Sequence, residues 1–262
     1  MVAEKNTLVK QIVLWRDGTK ENMADTVTVE APMTIFVNGE ELVTLLCTPE
    51  DMDLLALGFL RSEGLFTSMD EVAALRLKER EGLVEVELKD RSNLARRLYG
   101  KRTITSGCGK GTVFFQALDA LRSRPVKGEI TLAAEQAKQL MHQLQGKAVL
   151  FRETGGVHSA AVADTERIIF FYEDIGRHNA VDKLIGRSLL EGIPLEDKIL
   201  VTSGRLSSEM LLKAAKLQFP ILLSRSAPTS LSVELAEAMN ITLVGFVRGH
   251  RMNIYTHGWR IV

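Results

Sequence analysis

Cysteine is scarce in this chain: its 262 residues hold two, Cys47 and Cys108. Two thiols of different local character do not make a disulfide scaffold, and a reducing compartment would keep an exposed one available as a thiol. An excess of charge is missing too, since Lys+Arg and Asp+Glu each total 33. Such balance excludes whole-molecule attraction to nucleic acid or to an anionic membrane, so any anion site must be a local cluster. No apolar run approaches the roughly 20 residues that span a bilayer, and the start "MVAEKNTLVK" is too polar for a signal peptide. The expectation is a cytoplasmic protein with neither nucleic-acid nor membrane partners. Internal repeats and low-complexity segments are lacking as well.

What remains is an ordinary globular composition, 45% apolar and 25% charged, able to fill a core. The length exceeds the usual single-domain mode of roughly 100–150 residues, which favours two modest domains over one large one. The stretch "SRPVKGEIT" is the best linker, placing the domains at 1–125 and 126–262.

The first half is rich in hairpins. "TVTVEAPMTIFVNGEELVTLLC" alternates apolar and polar residues about Asn38-Gly39, a dipeptide suited to a type I′ turn. "TPEDMDLLALGFLRSEG" then predicts a helix with Thr48 as N-cap, Pro49 at its first position and Gly64 at its end, burying Leu54, Leu55, Ala56, Phe59 and Leu60. A second hairpin turns near Gly82 in "AALRLKEREGLVEVELKD". These elements predict a smaller N-terminal α+β domain with antiparallel pairing.

In the second half the period changes. After the helix "TLAAEQAKQLMHQLQG" and the strand pair "VHSAAVADTERIIFFYEDIG", helices alternate with the short apolar strands "KILVTSG", "PILLSRS" and "ITLVGFV". That alternation implies right-handed βαβ crossovers, hence an α/β domain with a largely parallel sheet. Ligands bind such sheets at the carboxyl ends of the strands. The loops there are "SGRLSS", "SRSAPTS" and "VRGHRMN".

Chemistry-bearing residues gather at four places. In "TITSGCGKGT", Cys108 stands between Gly107 and Gly109, with Arg102, Lys110 and a predicted helix start nearby. Cations and the positive end of a helix favour the thiolate, and flanking glycines leave the sulfur reachable. The alternative is a turn with Cys108 packed inward. A P-loop is a weaker match, because Gly111 occupies the Ser/Thr position. By contrast, Cys47 lies in the apolar run "LVTLLCTPE". "ETGGVHSAAV" joins Gly155 and Gly156 to His158, and "YEDIGRHNAVDK" joins Glu173, Asp174, Arg177, His178 and Asp182. Each suits an acid/base or anion site, with hydrogen-bonded structural histidines as the alternative. "GFVRGHRMN" carries Phe246, Val247, Arg248, Gly249, His250 and Arg251, a cationic bend suited to phosphate oxygens or else a solvated basic turn.

Taken together, "TGGVHSA", "EDIGRHNAVDK", "SGRLSSEM", "RSAPTS" and "GFVRGHRMNIYTH" resemble the formate dehydrogenase accessory sulfurtransferase family over nearly the whole chain. The resemblance implies a sulfur carrier that accepts persulfide sulfur from a cysteine desulfurase. It would pass that sulfur to a bis-molybdopterin guanine dinucleotide (Mo-bisMGD) molybdenum cofactor destined for formate dehydrogenase. It further implies a cytidine-deaminase-like fold for the second domain, a homodimer, and Cys108 as the sulfur-bearing residue. Cofactor contacts are expected at Gly155, Gly156, His158, Arg177, His178 and Arg205 and along Phe246 to Arg251. Many members carry C-G-x-C-G in the cysteine loop, where "TSGCGK" has a single cysteine. Either Thr105 fills the first cysteine position and Cys108 the second, or a one-residue gap makes Cys108 the first.

Two competing classes follow. A zinc deaminase needs H-x-E plus P-C-x-x-C. Here the residue two after His158 is Ala160 and no cysteine pair exists, so no bound metal is expected. A non-catalytic cofactor chaperone would bind the dinucleotide without requiring the Cys108 thiol.

Overall fold

The computed structural model describes residues 3–90 and 125–262; the Cys108 loop lies outside the described residues. After a single helical turn, α1 (Ala3–Asn6), the chain forms a two-stranded antiparallel ribbon, β1 (Thr7–Arg16) and β2 (Thr19–Thr28). Its turn is Asp17-Gly18, both residues with positive φ (50° and 87°). Thr26 and Thr28 therefore belong to this ribbon, and the strand expected from "TVTVEAPMTIFV" is broken before β3 (Ala31–Val37). β3 turns through Asn38-Gly39, at φ 52° and 87°, into β4 (Glu40–Cys47). With β5 (Val72–Lys78) and β6 (Leu83–Leu88) they make a four-stranded sheet in the order β4-β3-β6-β5, in which only β3 and β6 run parallel. Alternate residues Met33, Ile35, Val37, Val84, Val86 and Leu88 are buried on one face, the period that a half-covered strand demands.

That face is covered by α2 (Met52–Glu63). The five residues expected on its inner side are buried, and Gly64 ends it at φ 78°. Its start corrects the sequence reading: Asp51, at φ 56°, occupies the cap position without a side-chain bond. Thr48 does not cap, because its hydroxyl and amide are taken by the buried carboxylate of Asp174, at 3.0 and 3.1 Å.

A second sheet of six strands follows, in the order β12-β11-β10-β9-β7-β8. Its strands are β7 (His158–Ala163), β8 (Ile168–Asp174), β9 (Ile199–Thr202), β10 (Ile221–Ser224), β11 (Thr242–Arg248) and β12 (Arg251–Ile254). The expectation of a largely parallel sheet is corrected here. β9, β10 and β11 run parallel, while β7, β8 and β12 are antiparallel to their neighbours. The short connections β7–β8 and β11–β12 leave no room for a crossover and force antiparallel pairing. Helices α5 (Arg177–Glu191), α6 (Ser208–Lys216) and α7 (Ser230–Ala238) pack on one face of this sheet. α3 (Ala134–Lys147) covers the other, burying Leu140, Met141 and Leu144 against Ala161, Val201 and Leu223. A short helix, α4 (Val149–Thr154), precedes β7. The molecule is thus a mixed α/β fold, its two larger sheets joined through α2 and α5.

Candidate functional site

The parallel strands β9, β10 and β11 end side by side, and the loops that leave them are bonded to one another. Ser224 Oγ donates to Gly204 O at 2.6 Å and Ser226 Oγ to Ser203 O at 3.0 Å. Phe246 N donates to Ser226 O at 3.1 Å and Arg248 Nε to Arg225 O at 2.8 Å. The three polar loops picked out from the sequence therefore form one continuous rim.

At one end of that rim His158, the first residue of β7, lies beside Ser203, with His158 Nδ1 3.5 Å from Ser203 Oγ. Ser203 Oγ is held by Ser159 N at 2.9 Å. Arg177, at the start of α5, packs against this loop at Gly204. A side chain at Gly204 would press on Arg177 Cβ at 3.0 Å, so glycine makes room for the guanidinium stem. Burial lowers the pKa of His158, and the neighbouring Arg177 and Arg205 lower it further. Arg177 is itself lowered by burial and then by Arg205. Arg177 and Arg205 thus put positive charge beside His158, partly offset at Arg177 by Glu209, and an anion bound there would offset the rest.

His178 sits deeper, 3.3 Å from Glu209 through Nε2. Its pKa is pushed down to about 3, by burial first and then by Lys213, Arg177 and His158. His178 is therefore neutral at pH 7 and meets Glu209 as a hydrogen-bonding group rather than as a cation.

At the other end of the rim β11 and β12 close through Gly249-His250, with Gly249 at φ 53°. Arg248 stands opposite Arg251 in this hairpin. Like charges in cross-strand positions repel. Both guanidiniums lie over the Phe246 ring, 5.6 and 5.9 Å from its centroid, and Phe246 holds a left-handed backbone at φ 52°. The ring face offsets some of that repulsion. Arg205, Arg248, His250 and Arg251 are exposed, whereas the Val247 side chain is buried in the core and faces no ligand.

The remaining candidates have structural posts. Gly155 ends α4 at φ 66°, and Gly156 abuts Thr28 at the foot of the ribbon, where a Cβ would come within 2.9 Å of Thr28 Oγ1. Glu173 accepts from Leu150 N and Phe151 N at 2.9 and 3.0 Å, and burial still raises its pKa. Asp174 is fully buried and paired with Lys183 at 2.8 Å. Asp182, whose pKa burial raises, is held by Ser62 and Lys213. None of the three carboxylates joins the rim. Sequence reasoning missed Ser203, Arg225 and Ser226, although the loops that carry them were marked by their position after β9 and β10. Among the described residues no three His, Cys, Asp or Glu side chains gather to hold a metal ion, and no helix is long and apolar enough to cross a membrane.

Residues 28–262 match the FdhD/NarQ family. This chain belongs to that family. It is 43% identical over 258 residues to the sulfur carrier protein FdhD of Bacillus subtilis strain 168, covering 98% of each chain. Its identity to the sulfur carrier protein FdhD of Bacillus pumilus strain SAFR-032 is 47% over 247 residues, 94% of each chain. Among solved structures it resembles a protein from Desulfotalea psychrophila provisionally assigned as a formate dehydrogenase accessory protein. The TM-score is 0.82 at 26% identity, over 98% of this chain and all of the other.

For an FdhD/NarQ member the state of each thiol matters. Cys47 is fully buried and its Sγ–H points at Ala31 O, 3.7 Å away. Burial, aided by the Asp174 carboxylate, pushes its pKa up to about 12. At neutral pH it is a protonated, unreachable thiol.

Proposed function

We propose that this chain is a sulfurtransferase that carries persulfide sulfur on Cys108. It takes the sulfur from a cysteine desulfurase and delivers it to Mo-bisMGD, the cofactor that formate dehydrogenase then receives. One observation carries the choice of residue. Relatives that match nearly the whole chain are named sulfur carriers, the chain has two cysteines, and Cys47 is buried with its thiol pushed to about 12. Cys108 is the thiol left to do the carrying.

The chemistry is an exchange between sulfurs. The Cys108 thiolate attacks the terminal sulfur of the donor persulfide; that S–S bond breaks, a new one forms on Cys108, and the donor cysteine leaves as a thiolate. Lys110, close in sequence, favours the anion. No second cysteine stands in the "TSGCGK" loop to discharge the product as a disulfide. The cationic rim supports the second half of the proposal. Arg177 with Arg205, and Arg248 with Arg251, are repelling pairs that suit the phosphates of a guanine dinucleotide, and the Phe246 ring offers a face to its base.

The test is to incubate the full chain with a cysteine desulfurase and cysteine and to weigh it by mass spectrometry. The wild type and Cys47→Ala should gain one sulfur atom, and Cys108→Ala should gain none and fail to activate formate dehydrogenase. If Cys108→Ala activated the dehydrogenase normally, the protein would be a cofactor chaperone without a covalent step.

A further inference from the structure

Along β12 and the residue after it, three polar side chains alternate onto one face. Met252 packs into the core that α3 covers, so Arg251, Asn253 and Tyr255 project from the opposite side. All three are exposed, Tyr255 at 36%. Their line begins on a cation of the hairpin and ends on a neutral amide and a phenol, about 13 Å further on at roughly 3.3 Å per residue. That is the scale of a nucleotide from its phosphates to its base.

The neutral end of the line is held in place. Tyr255 N donates to Leu243 O at 2.9 Å, which carries the β11–β12 pairing one residue beyond the strand. The next residue, Thr256, is buried; its hydroxyl donates to Ile241 O at 2.7 Å and accepts from Leu243 N at 3.0 Å. Opposite Asn253 stands Gly245. A Cβ there would lie 3.0 Å from Ser226 O, 3.1 Å from Pro228 Cδ and 3.1 Å from Tyr255 Cε2, so the missing side chain admits the phenol ring to the loop after β10. Asn253 Nδ2 donates to Tyr255 Oη at 3.3 Å. With Nδ2 turned to the phenol, Asn253 Oδ1 is left to accept and the Tyr255 hydroxyl to donate.

We infer that Asn253 and Tyr255 determine which base the rim accepts, and that they select guanine. The inference rests on the proposed reading of the rim as the dinucleotide site and assigns its specificity. A ring face such as that of Phe246 is tolerant of base identity, because every base can stack. Only the base edge carries the distinction. Guanine sets its O6 acceptor beside its N1–H donor, and these meet the Tyr255 hydroxyl and Asn253 Oδ1 in turn. In the same orientation adenine offers an amino donor to the hydroxyl and the lone pair of N1 to Oδ1. Both contacts are then mismatched, and a polar group left unpaired costs more than a matched one gains.

The test is calorimetry of the full chain with GDP, IDP and ADP. The wild type should bind GDP at least about tenfold more tightly than ADP, the discrimination of one two-point base contact. IDP shares O6 and N1–H with GDP and should bind within about threefold of it. Asn253→Ala should bring GDP and ADP within about threefold of each other. Asn253→Asp keeps an acceptor for N1–H and should retain the preference for GDP. Tyr255→Phe keeps the ring, loses the donor to O6, and should narrow the ratio. Each readout is a ratio within one protein, so a general loss of folded chain or of phosphate affinity cancels. A wild type that binds no GDP would overturn the reading of the rim and this inference with it. Four results would leave the rim as the dinucleotide site and overturn the assignment of Asn253 and Tyr255 alone. They are a wild type that binds GDP and ADP alike, IDP bound as weakly as ADP, an Asn253→Ala chain with the wild-type preference, or an Asn253→Asp chain without it.

Discussion

His178 shows how a residue chosen as a functional candidate can instead set the stability of the frame behind the site. In the folded chain its pKa is near 3, against an ordinary value of 6.5 in the unfolded one. Between these values the unfolded chain binds a proton that the folded chain refuses, so stability rises with pH through that window and is lost as pH falls from about 6.5 towards 3. Lowering the pH from 7.5 to 5.5 should therefore remove about 1 kcal/mol through this group alone. His178→Gln keeps a donor for Glu209 and cannot titrate. Urea unfolding of both proteins at the two pH values should show the wild type losing about 1 kcal/mol more than the variant; equal losses would mean that His178 is protonated in the folded state. Among the carboxylates, Asp174 is enclosed by Lys183, Thr48, Asn179 and Gly176 N, and an ion pair so enclosed belongs to the frame rather than to the chemistry.

At the scale of elements, the joint between the two larger sheets is a helix crossing made by two glycines. A Cβ on Gly58 of α2 would fall 1.8 Å from Asp182 O, and one on Gly186 of α5 would fall 2.0 Å from Leu54 O. Both obstacles are backbone, which cannot swing aside. Gly58→Ala or Gly186→Ala should each destabilise by about 3 kcal/mol or more, at or beyond the usual range for overpacking. Thermal unfolding should show a fall of at least about 6 °C for either change. A midpoint within 1–2 °C of wild type would show that the helices part easily. Neither glycine was legible in the sequence as a contact, because a glycine inside a helical pattern names no partner. The hairpins at Asn38-Gly39 and Gly82 were legible, since their turns demand positive φ locally. The ribbon carries the same signal in Asp17-Gly18 but went unread. Its exposed apolar residues look like core positions until the absence of a covering layer is seen. The N-cap at Thr48 failed for a related reason: a long-range carboxylate, Asp174, outcompetes the local helix for the hydroxyl.

The whole molecule places three parallel strand ends at one edge of the six-stranded sheet, and that placement was readable from the alternation of helices and apolar strands. Which side chains then line the rim was not, because it depends on which face of each loop the core claims. Val247 goes inward and Arg248 outward on successive residues of one strand, while Gly155 ends α4 and Gly156 serves the ribbon's foot instead of the rim. Arg248 and Arg251 remain facing each other over Phe246, a pairing whose repulsion the ring offsets in part and a bound anion would offset further. If the rim binds the dinucleotide part of the cargo, the two cations act through ligand charge and have no part in the thiol exchange at Cys108. Arg248→Ala with Arg251→Ala should therefore weaken GDP binding by roughly tenfold or more, as loss of charge-assisted bonds worth about 1.5–3 kcal/mol each predicts. Desulfurase-dependent sulfur loading of Cys108 should stay at the wild-type level in the same protein. Calorimetry with GDP and mass spectrometry on one preparation separate the two steps. Unchanged GDP affinity would remove the hairpin from the binding site, and loss of sulfur loading together with GDP binding would show that carrying sulfur and holding the dinucleotide are not independent tasks in this fold.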